Sequence, residues 1–448
     1  MGKIILYILM PSTSIVALFQ PWIGVLAAYV FAIMGPQFIW FWNFSSVRPF
    51  LFISVPTIIG CGISILHGKA TITFIKTKIN LFILIWWLCL IMSYFFGPFV
   101  NMEYHLFDPH RLIGRMSNMF LFYYIAVLCI DNHQKFKYSC YALAVSVIVL
   151  IWWANDQYFS GQFFGRLGGP MTPTGGSMYL DENVFGMVFV MGLPFLYYLG
   201  LYANKLIVRF AFWALIPLGW HAVFLTASRG ALLGVAVTLF ITVIRSRRKL
   251  IGLAIIPALI LFYQWQGGST MKDRADTINE YEEDRSAMTR LEAWEAAASM
   301  IVAHPIVGVG LASFMTAFPY YSEYVPRVAH NSYLQLTAES GLLAGASYII
   351  VLTIPFVVLW RRKQPLSTED RDEYFLSLMS DAIIASLAGF AVCAFFLSIE
   401  TLELFFYLCM ISNYLVVFRS GKQKSLEAPS GRQDAVPQLL EDRKGYSC

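Results

Sequence analysis

Residues 207–244 read IVRFAFWALIPLGWHAVFLTASRGALLGVAVTLFITVI. Two apolar runs meet in the short segment Thr226-Ala227-Ser228-Arg229-Gly230. An apolar run of roughly 20 residues crosses a bilayer as a helix, because only a helix or a closed barrel satisfies its own backbone where there is no water. The segment between the runs leaves no room for a loop, so the pair reads as a helical hairpin. Arg229 then sits at or just inside the membrane boundary, where charge is costly unless it is paired, reaches to the headgroups or faces a cavity. It also stands at the start of the second helix, where free backbone N–H groups favour an anion. Ser228 is suited to cap that helix. Two readings of Arg229 follow: a side chain reaching to lipid phosphate, or an anion ligand.

The rest of the chain repeats this character. Of 448 residues, 58% are hydrophobic and 13% charged, and the mean hydropathy is +0.62. A soluble protein would carry about 25% charge. The composition therefore predicts an all-α, polytopic membrane protein. Candidate spans fall near 4–19, 22–42, 50–66, 79–99, 112–130, 139–158, 183–201 and 207–226. Further ones fall near 229–244, 249–265, 332–360, 376–398 and 401–418, for an expected total of about 12. The first segment has no small-residue cleavage site and reads as a retained span. Pro11 and Pro21 leave two forms open there, a shortened hairpin or one broken span. The cysteines form no CxxC and no Cys/His cluster, which points away from a metal site or a disulfide framework.

Charge placement orients the spans. Lys69, Lys76 and Lys78; Lys135 and Lys137; Lys205 and Arg209; Arg245, Arg247, Arg248 and Lys249; Arg361, Arg362 and Lys363; and Arg419, Lys422 and Lys424 fall in alternate connections. The positive-inside rule turns these towards the cytoplasm. The connections 101–111, 160–182, 226–229, 266–331 and 398–403 then face outward. The chain divides into an N-terminal transmembrane bundle (1–265), a partly helical outward loop, periplasmic or extracellular (266–331), C-terminal transmembrane helices (332–420) and a polar cytoplasmic tail (421–448) with no hydrophobic period. A charged insert as long as 266–331 among membrane spans is expected to carry function.

Within that loop Met288, Leu291, Trp294, Ala298 and Ile301 recur at helical spacing, predicting a helix with its apolar face on the membrane surface. Thr289-Arg290-Leu291-Glu292 fits a capping box, which puts Arg290 in the first turn. His304-Pro305 ends the helix. Ala329-His330-Asn331-Ser332 stands at the mouth of the next span, with Asn331 or Ser332 as its cap. His330 is a group able to take a proton near neutral pH. Glu339 reads as a carboxylate inside the apolar helix, about 13 Å along it. Gly341 and Gly345 form a small-residue face. A glycine-rich loop, Gly165-Arg166-Leu167-Gly168-Gly169-Pro170, continues to Asp181-Glu182-Asn183, and Gly308-Val309-Gly310 is a second glycine turn. Asp370-Arg371-Asp372 looks like a metal-binding DxD, but the charge rule puts it on the opposite side.

The order of these pieces resembles the O-antigen ligase / O-antigen polymerase family of bacterial integral-membrane glycosyltransferases. The resemblance rests on Thr-Ala-Ser-Arg229-Gly230, on Arg290 ahead of a Trp-containing helix, on His304-Pro305-x-x-Gly308-x-Gly310, and on His330-Asn331-x-x-Leu334-x-x-x-x-Glu339-x-Gly341. It is densest over 180–360. It implies a GT-C-like fold in the inner membrane and glycan transfer on the periplasmic side, with no metal, nucleotide sugar or other cofactor. The implied partners are an undecaprenyl-pyrophosphate-linked glycan, a lipid A–core acceptor and membrane lipids, with no nucleic acid. A growing glycan or a protein hydroxyl is the acceptor in the polymerase and protein O-oligosaccharyltransferase branches. On this resemblance Arg229 and Arg290 take the pyrophosphate charge and His330 is the general base, while Arg166, Asp181, Asn183, Asn331 and Glu339 are candidate substrate-binding residues. A transporter is the rival from another class. It calls for mid-membrane ionisable groups and two matching halves; Asp381 and His221 suit the first, but the halves do not match.

Overall fold

The computed structural model describes residues 2–40, 48–68, 74–103, 105, 107–162, 165–172, 175–176, 179–246, 285–360, 370–399 and 402–427. The expected span at 249–265, the first part of the large loop at 266–284, Lys69, Arg247, Arg248, Lys249, Arg361, Arg362 and Lys363, and the tail beyond 427 lie outside the described residues.

The chain is a helical bundle. Helices α1 (Gly2–Phe19), α2 (Pro21–Met34) and the short α3 (Pro36–Ile39) are followed by α4 (Pro49–Leu66), α5 (Lys78–Phe96), α6 (Pro109–Cys129) and α7 (His133–Phe159). A two-residue antiparallel ladder of β1 (Met171–Thr172) and β2 (Gly175–Gly176) precedes α8 (Glu182–Tyr202), α9 (Leu206–Leu225) and α10 (Arg229–Arg245). Then come α11 (Arg285–Ala303), α12 (Phe314–Ala317), α13 (Ser332–Ser340), α14 (Leu342–Trp360), α15 (Arg371–Cys393) and α16 (Glu403–Glu427). Among the described residues nine helices are long and apolar enough to cross a membrane, which accords with a polytopic all-α protein.

Helix starts follow local chemistry. Pro21, Pro49 and Pro109 stand in first turns, where the missing N–H costs nothing. Thr77, Asp108, Asn132, Asp181, Ser228, Asn331 and Asp370 each accept a hydrogen bond from an N–H of the turn that follows. At the N-terminus α1 and α2 form a hairpin packed on α4. Ser14 Oγ donates to the Phe52 carbonyl at 3.1 Å, and Trp22 stacks on Tyr138. Helices α8 and α15 are enclosed by the others, and Ser386 Oγ ties them at the Met191 carbonyl (2.6 Å).

The two ends of the bundle differ. At one end, the basic end, Arg245 meets Asp381 at 2.5 Å and donates to the Trp360 carbonyl. Arg371 donates to the Tyr202 carbonyl, Arg419 pairs with Glu373, and His133 lies 3.3 Å from Asp372. Asp370 caps α15 there, so the DxD look-alike is spent on a helix start and a contact with His133. The other end, the loop end, carries the 165–182 hairpin, the 226–229 turn and a cap formed by α11 to α13. That cap has a core of its own, including Ala293, Ala296, Ala297, Met300, Phe314, Phe318 and Ala338.

Two local expectations are corrected. The run 332–360 is two helices, because Gly341 adopts φ 88° and breaks it. Helix α11 already runs from Arg285, so Thr289 is no cap, and Glu292 pairs with Arg327 at 3.2 Å. The face of α11 that packs inward is Ala293, Ala296, Ala297 and Met300, whereas Met288, Leu291 and Ala298 are exposed. Small alanines allow close approach to α13, and a pattern weighted by side-chain size passes over them.

Candidate functional site

The site is assembled at the loop end from four separate segments. The first is the turn between α9 and α10. Ala227 takes φ 48°, Ser228 Oγ accepts from the Ala231 N–H at 3.2 Å, and Arg229 opens α10 half-buried. The hairpin read from residues 207–244 is thus present, with Arg229 in the first turn of its second helix.

The second segment is the glycine-rich loop. Leu167 N–H donates to the Leu225 carbonyl and Gly169 N–H to the Tyr179 carbonyl. A Cβ on Gly168 would lie 2.1 Å from the Leu180 carbonyl oxygen, so that approach requires glycine. Arg166 donates to the Thr226 carbonyl and to Asn183 Oδ1, both at 3.2 Å, and faces Glu182 at 3.4 Å. It clamps the glycine loop to the Arg229 turn. Asp181 caps α8, accepting from the N–H groups of Asn183 and Val184.

The third segment holds His330. The residue has φ 47°, a left-handed conformation that histidine visits more readily than most side chains. Both polar groups of the preceding peptide unit's residue, Ala329, are held by side chains. Trp294 Nε1 donates to its carbonyl at 2.9 Å, and its N–H donates to Gln335 Oε1 at 3.1 Å. Asn331 Oδ1 then caps α13 at the Tyr333 and Leu334 N–H groups. Gln335 Nε2 donates onward to Glu339 Oε1 at 3.2 Å. The Glu339 carboxyl also accepts from the N–H groups of Ala312 (2.9 Å) and Phe314 (3.3 Å). Glu339 thus lies buried in α13, outside the spans, and braces the cap. Burial pushes its pKa up to about 7 against the pull of those donors.

The two glycine motifs meet underneath. Val309 and Gly310 N–H groups donate to the Ala338 and Glu339 carbonyls, and Leu342 N–H donates to Pro305. Ser93 Oγ of α5 adds a bond to the Glu339 carbonyl at 2.6 Å. The His304-Pro305-x-x-Gly308-x-Gly310 segment therefore supports the Glu339-x-Gly341 break rather than lining the site.

The fourth segment, Ala394–Ile399, links the other walls. The Arg290 guanidinium lies 5.9 Å from the Phe396 ring centre. A Cβ on Gly230 would meet Phe396 at 3.2 Å. Ser332 Oγ donates to the Leu397 carbonyl and accepts from the Ile399 N–H. Phe396 thus touches Arg290 and the Arg229 turn, while its neighbours hold the start of α13 beside His330. Trp294 stood out in the sequence only as part of the helical spacing of its loop; nothing in the sequence pattern singled out Phe396 or Gln335, apart from the i, i+4 spacing of Gln335 and Glu339.

Electrostatics ties the walls together. The His330 imidazole is held below its ordinary pKa, first by burial and then by Arg290, while Asp181 pulls the other way. Among the described residues the three non-glycine residues of positive φ, Ala227, Ala312 and His330, all lie in these walls or their brace. Strained backbone of that kind collects at functional sites. Among the described residues no group of His, Cys, Asp and Glu is arranged to hold a metal ion. The polar residues weighed for transport have partners within the bundle: Asp381 with Arg245, and His221 Nδ1 with Asn155 at 2.7 Å.

Residues 210–349 match the family model described as O-antigen ligase. That region holds Arg229, Arg290, His330 and Glu339, while Arg166, Asp181 and Asn183 precede it. No curated protein and no solved structure matches the chain.

Proposed function

From the O-antigen ligase-type region that this chain carries at 210–349, we propose that it transfers a glycan from undecaprenyl pyrophosphate to a hydroxyl of lipid A–core, on the side of the membrane where the loop end lies. The acceptor oxygen attacks the anomeric carbon while the bond from that carbon to the pyrophosphate oxygen breaks. His330 takes the hydroxyl proton. Arg229 and Arg290 neutralise the charge on the departing pyrophosphate, Arg229 with help from the N–H groups opening α10. Attack opposite the leaving group inverts the anomeric centre.

One observation carries the reading: a half-buried histidine whose pKa is held below its ordinary value by burial and a nearby arginine, with Phe396 standing between that arginine and the Gly230 position next to a second arginine at a helix N-terminus. A neutral imidazole is the form that accepts a proton, and a guanidinium nearby is the form that accepts a pyrophosphate. Arg166, Asp181, Asn183, Asn331 and Glu339 act in this scheme by holding the loops in place, since their polar atoms are engaged by the fold.

The test is transfer by purified protein from undecaprenyl-pyrophosphate-linked glycan to rough lipopolysaccharide, with His330→Ala in parallel. Glycan on lipid A–core with the unaltered protein and none with the variant is expected. Longer lipid-linked chains in place of capped core would make the protein a polymerase, and full activity in His330→Ala would remove the base.

A further inference from the structure

The cap carries a second concavity that the transfer scheme does not use. It is an open cleft of about 820 Å³ between the turn after α5 and the segment after α12, lined by Asn101, Glu103, Thr316, Pro319, Tyr320 and Pro326 together with two methionines. Its volume falls within the roughly 300–1,000 Å³ of small-molecule sites. Tyr320 is 63% exposed, and Phe99 lies behind it at 5.1 Å between ring centres. Thr316 Oγ1 lies 3.2 Å from His105 Nδ1, which is itself near the Ala312 carbonyl. Two prolines stiffen the far wall. The cleft therefore presents an aromatic ring flanked by an amide, a carboxylate and a hydroxyl.

That combination has one fitting occupant. A pyranose offers a face of C–H groups to an aromatic ring and a rim of hydroxyls to amide and carboxylate oxygens. A phosphate-bearing ligand would meet Glu103, with no Lys or Arg among the described lining residues. The cleft also adjoins the site. Pro326 is four residues before His330, about 13 Å of extended chain at ~3.3 Å per residue, and the Ala312–Phe314 stretch leading into its wall hangs from Glu339. We propose that this cleft is a glycan-binding subsite, which holds sugars of the donor chain or of the acceptor several units away from the reacting carbon. The proposal rests on the transferase reading for its ligand class, and its test does not depend on turnover.

The probe is the surface glycan of the source cells, freed from lipid by mild acid, and binding to detergent-purified protein is followed by saturation-transfer NMR. The unaltered protein and His330→Ala should bind alike. Tyr320→Ala and Asn101→Ala should each weaken binding about tenfold, as loss of an aromatic anchor or its polar partner does. Tyr320→Trp should keep it, which separates ring loss from misfolding. In transfer assays the same alanine variants should raise one KM and spare kcat; the substrate whose KM moves identifies the source of the sugars. No binding by the unaltered protein, or binding within twofold in Tyr320→Ala, overturns the subsite. So does a Tyr320→Ala effect confined to association with phosphatidylethanolamine–phosphatidylglycerol vesicles, which would make the ring a membrane anchor. If His330→Ala transferred normally while the glycan still bound at Tyr320, the catalytic scheme would fall and the subsite would stand.

Discussion

Arg229 and His330 make different demands on their neighbours. A guanidinium offers a planar fork of donors to a pyrophosphate, and an ammonium offers a point charge. Arg229→Lys is therefore expected to lose about tenfold or more in transfer rate, the typical cost of a displaced charge-assisted bond, with membrane insertion unchanged by immunoblot. In the proposed scheme His330 must be neutral to work. Burial and Arg290 hold its pKa below the ordinary value, so activity should persist to slightly acidic pH and fall only as the imidazole protonates below that. Asp181→Asn keeps the α8 cap, since asparagine caps as well as aspartate, but removes the one neighbour that raises the His330 pKa. The acid limb of the kcat/KM profile should then move to lower pH. An unmoved limb would mean that another group governs it. Both residues were legible from sequence because each is an ionisable group at the edge of an apolar run. Phe396 was not, because an aromatic in a Phe-rich chain becomes informative only when its neighbours in space are known.

At the scale of elements, the break at Gly341 matters most. It turns an expected membrane carboxylate into the keystone of the cap, with three donors converging on Glu339. Glu339→Ala strands two buried N–H groups and is expected to cost about 2–4 kcal/mol, read as a fall in the thermal midpoint in detergent. Its folded pKa is raised to about 7, above the unfolded value. Its contribution is therefore fullest in acid and is lost as pH rises towards 7. Glu339→Gln should flatten that slope, and an unchanged slope would assign it to another group. Hydropathy alone reads 332–360 as one span, because a single glycine barely alters a window average. The alanine face of α11 escaped for a related reason: its contribution is closeness, which side-chain size does not advertise. The hairpin around Arg229, by contrast, was legible throughout, since its turn is too short to be anything else.

For the whole molecule, the described charges sort into two ends. The basic end holds the Arg245–Asp381 and Arg419–Glu373 pairs, and the loop end holds the Arg166–Glu182 and Arg327–Glu292 pairs beside the residues of positive φ. On the positive-inside rule we propose that the site faces away from the cytoplasm. Single cysteines check this, with Cys448 replaced. Glu323→Cys in the cap should react with an impermeant maleimide in outer-membrane-permeabilised cells, and Lys205→Cys only after lysis; the reverse pattern would invert the topology. Fold class was readable from composition because the bilayer constrains it so strongly, and charge order supplied the side proposed for the site. The wall contributed by Ala394–Ile399 was not readable, since it depends on which distant segments pack side by side.

The crossing of Gly308 with Gly341 has a consequence for how such chains vary. A methyl at 308 would lie 2.2 Å from the Glu339 carbonyl carbon, and one at 341 would lie 2.0 Å from the Ile306 carbonyl oxygen. Each glycine makes room for backbone belonging to the other's motif. Neither position is free to drift alone, and the two motifs, some 30 residues apart in sequence, should be inherited, lost or transplanted as one unit.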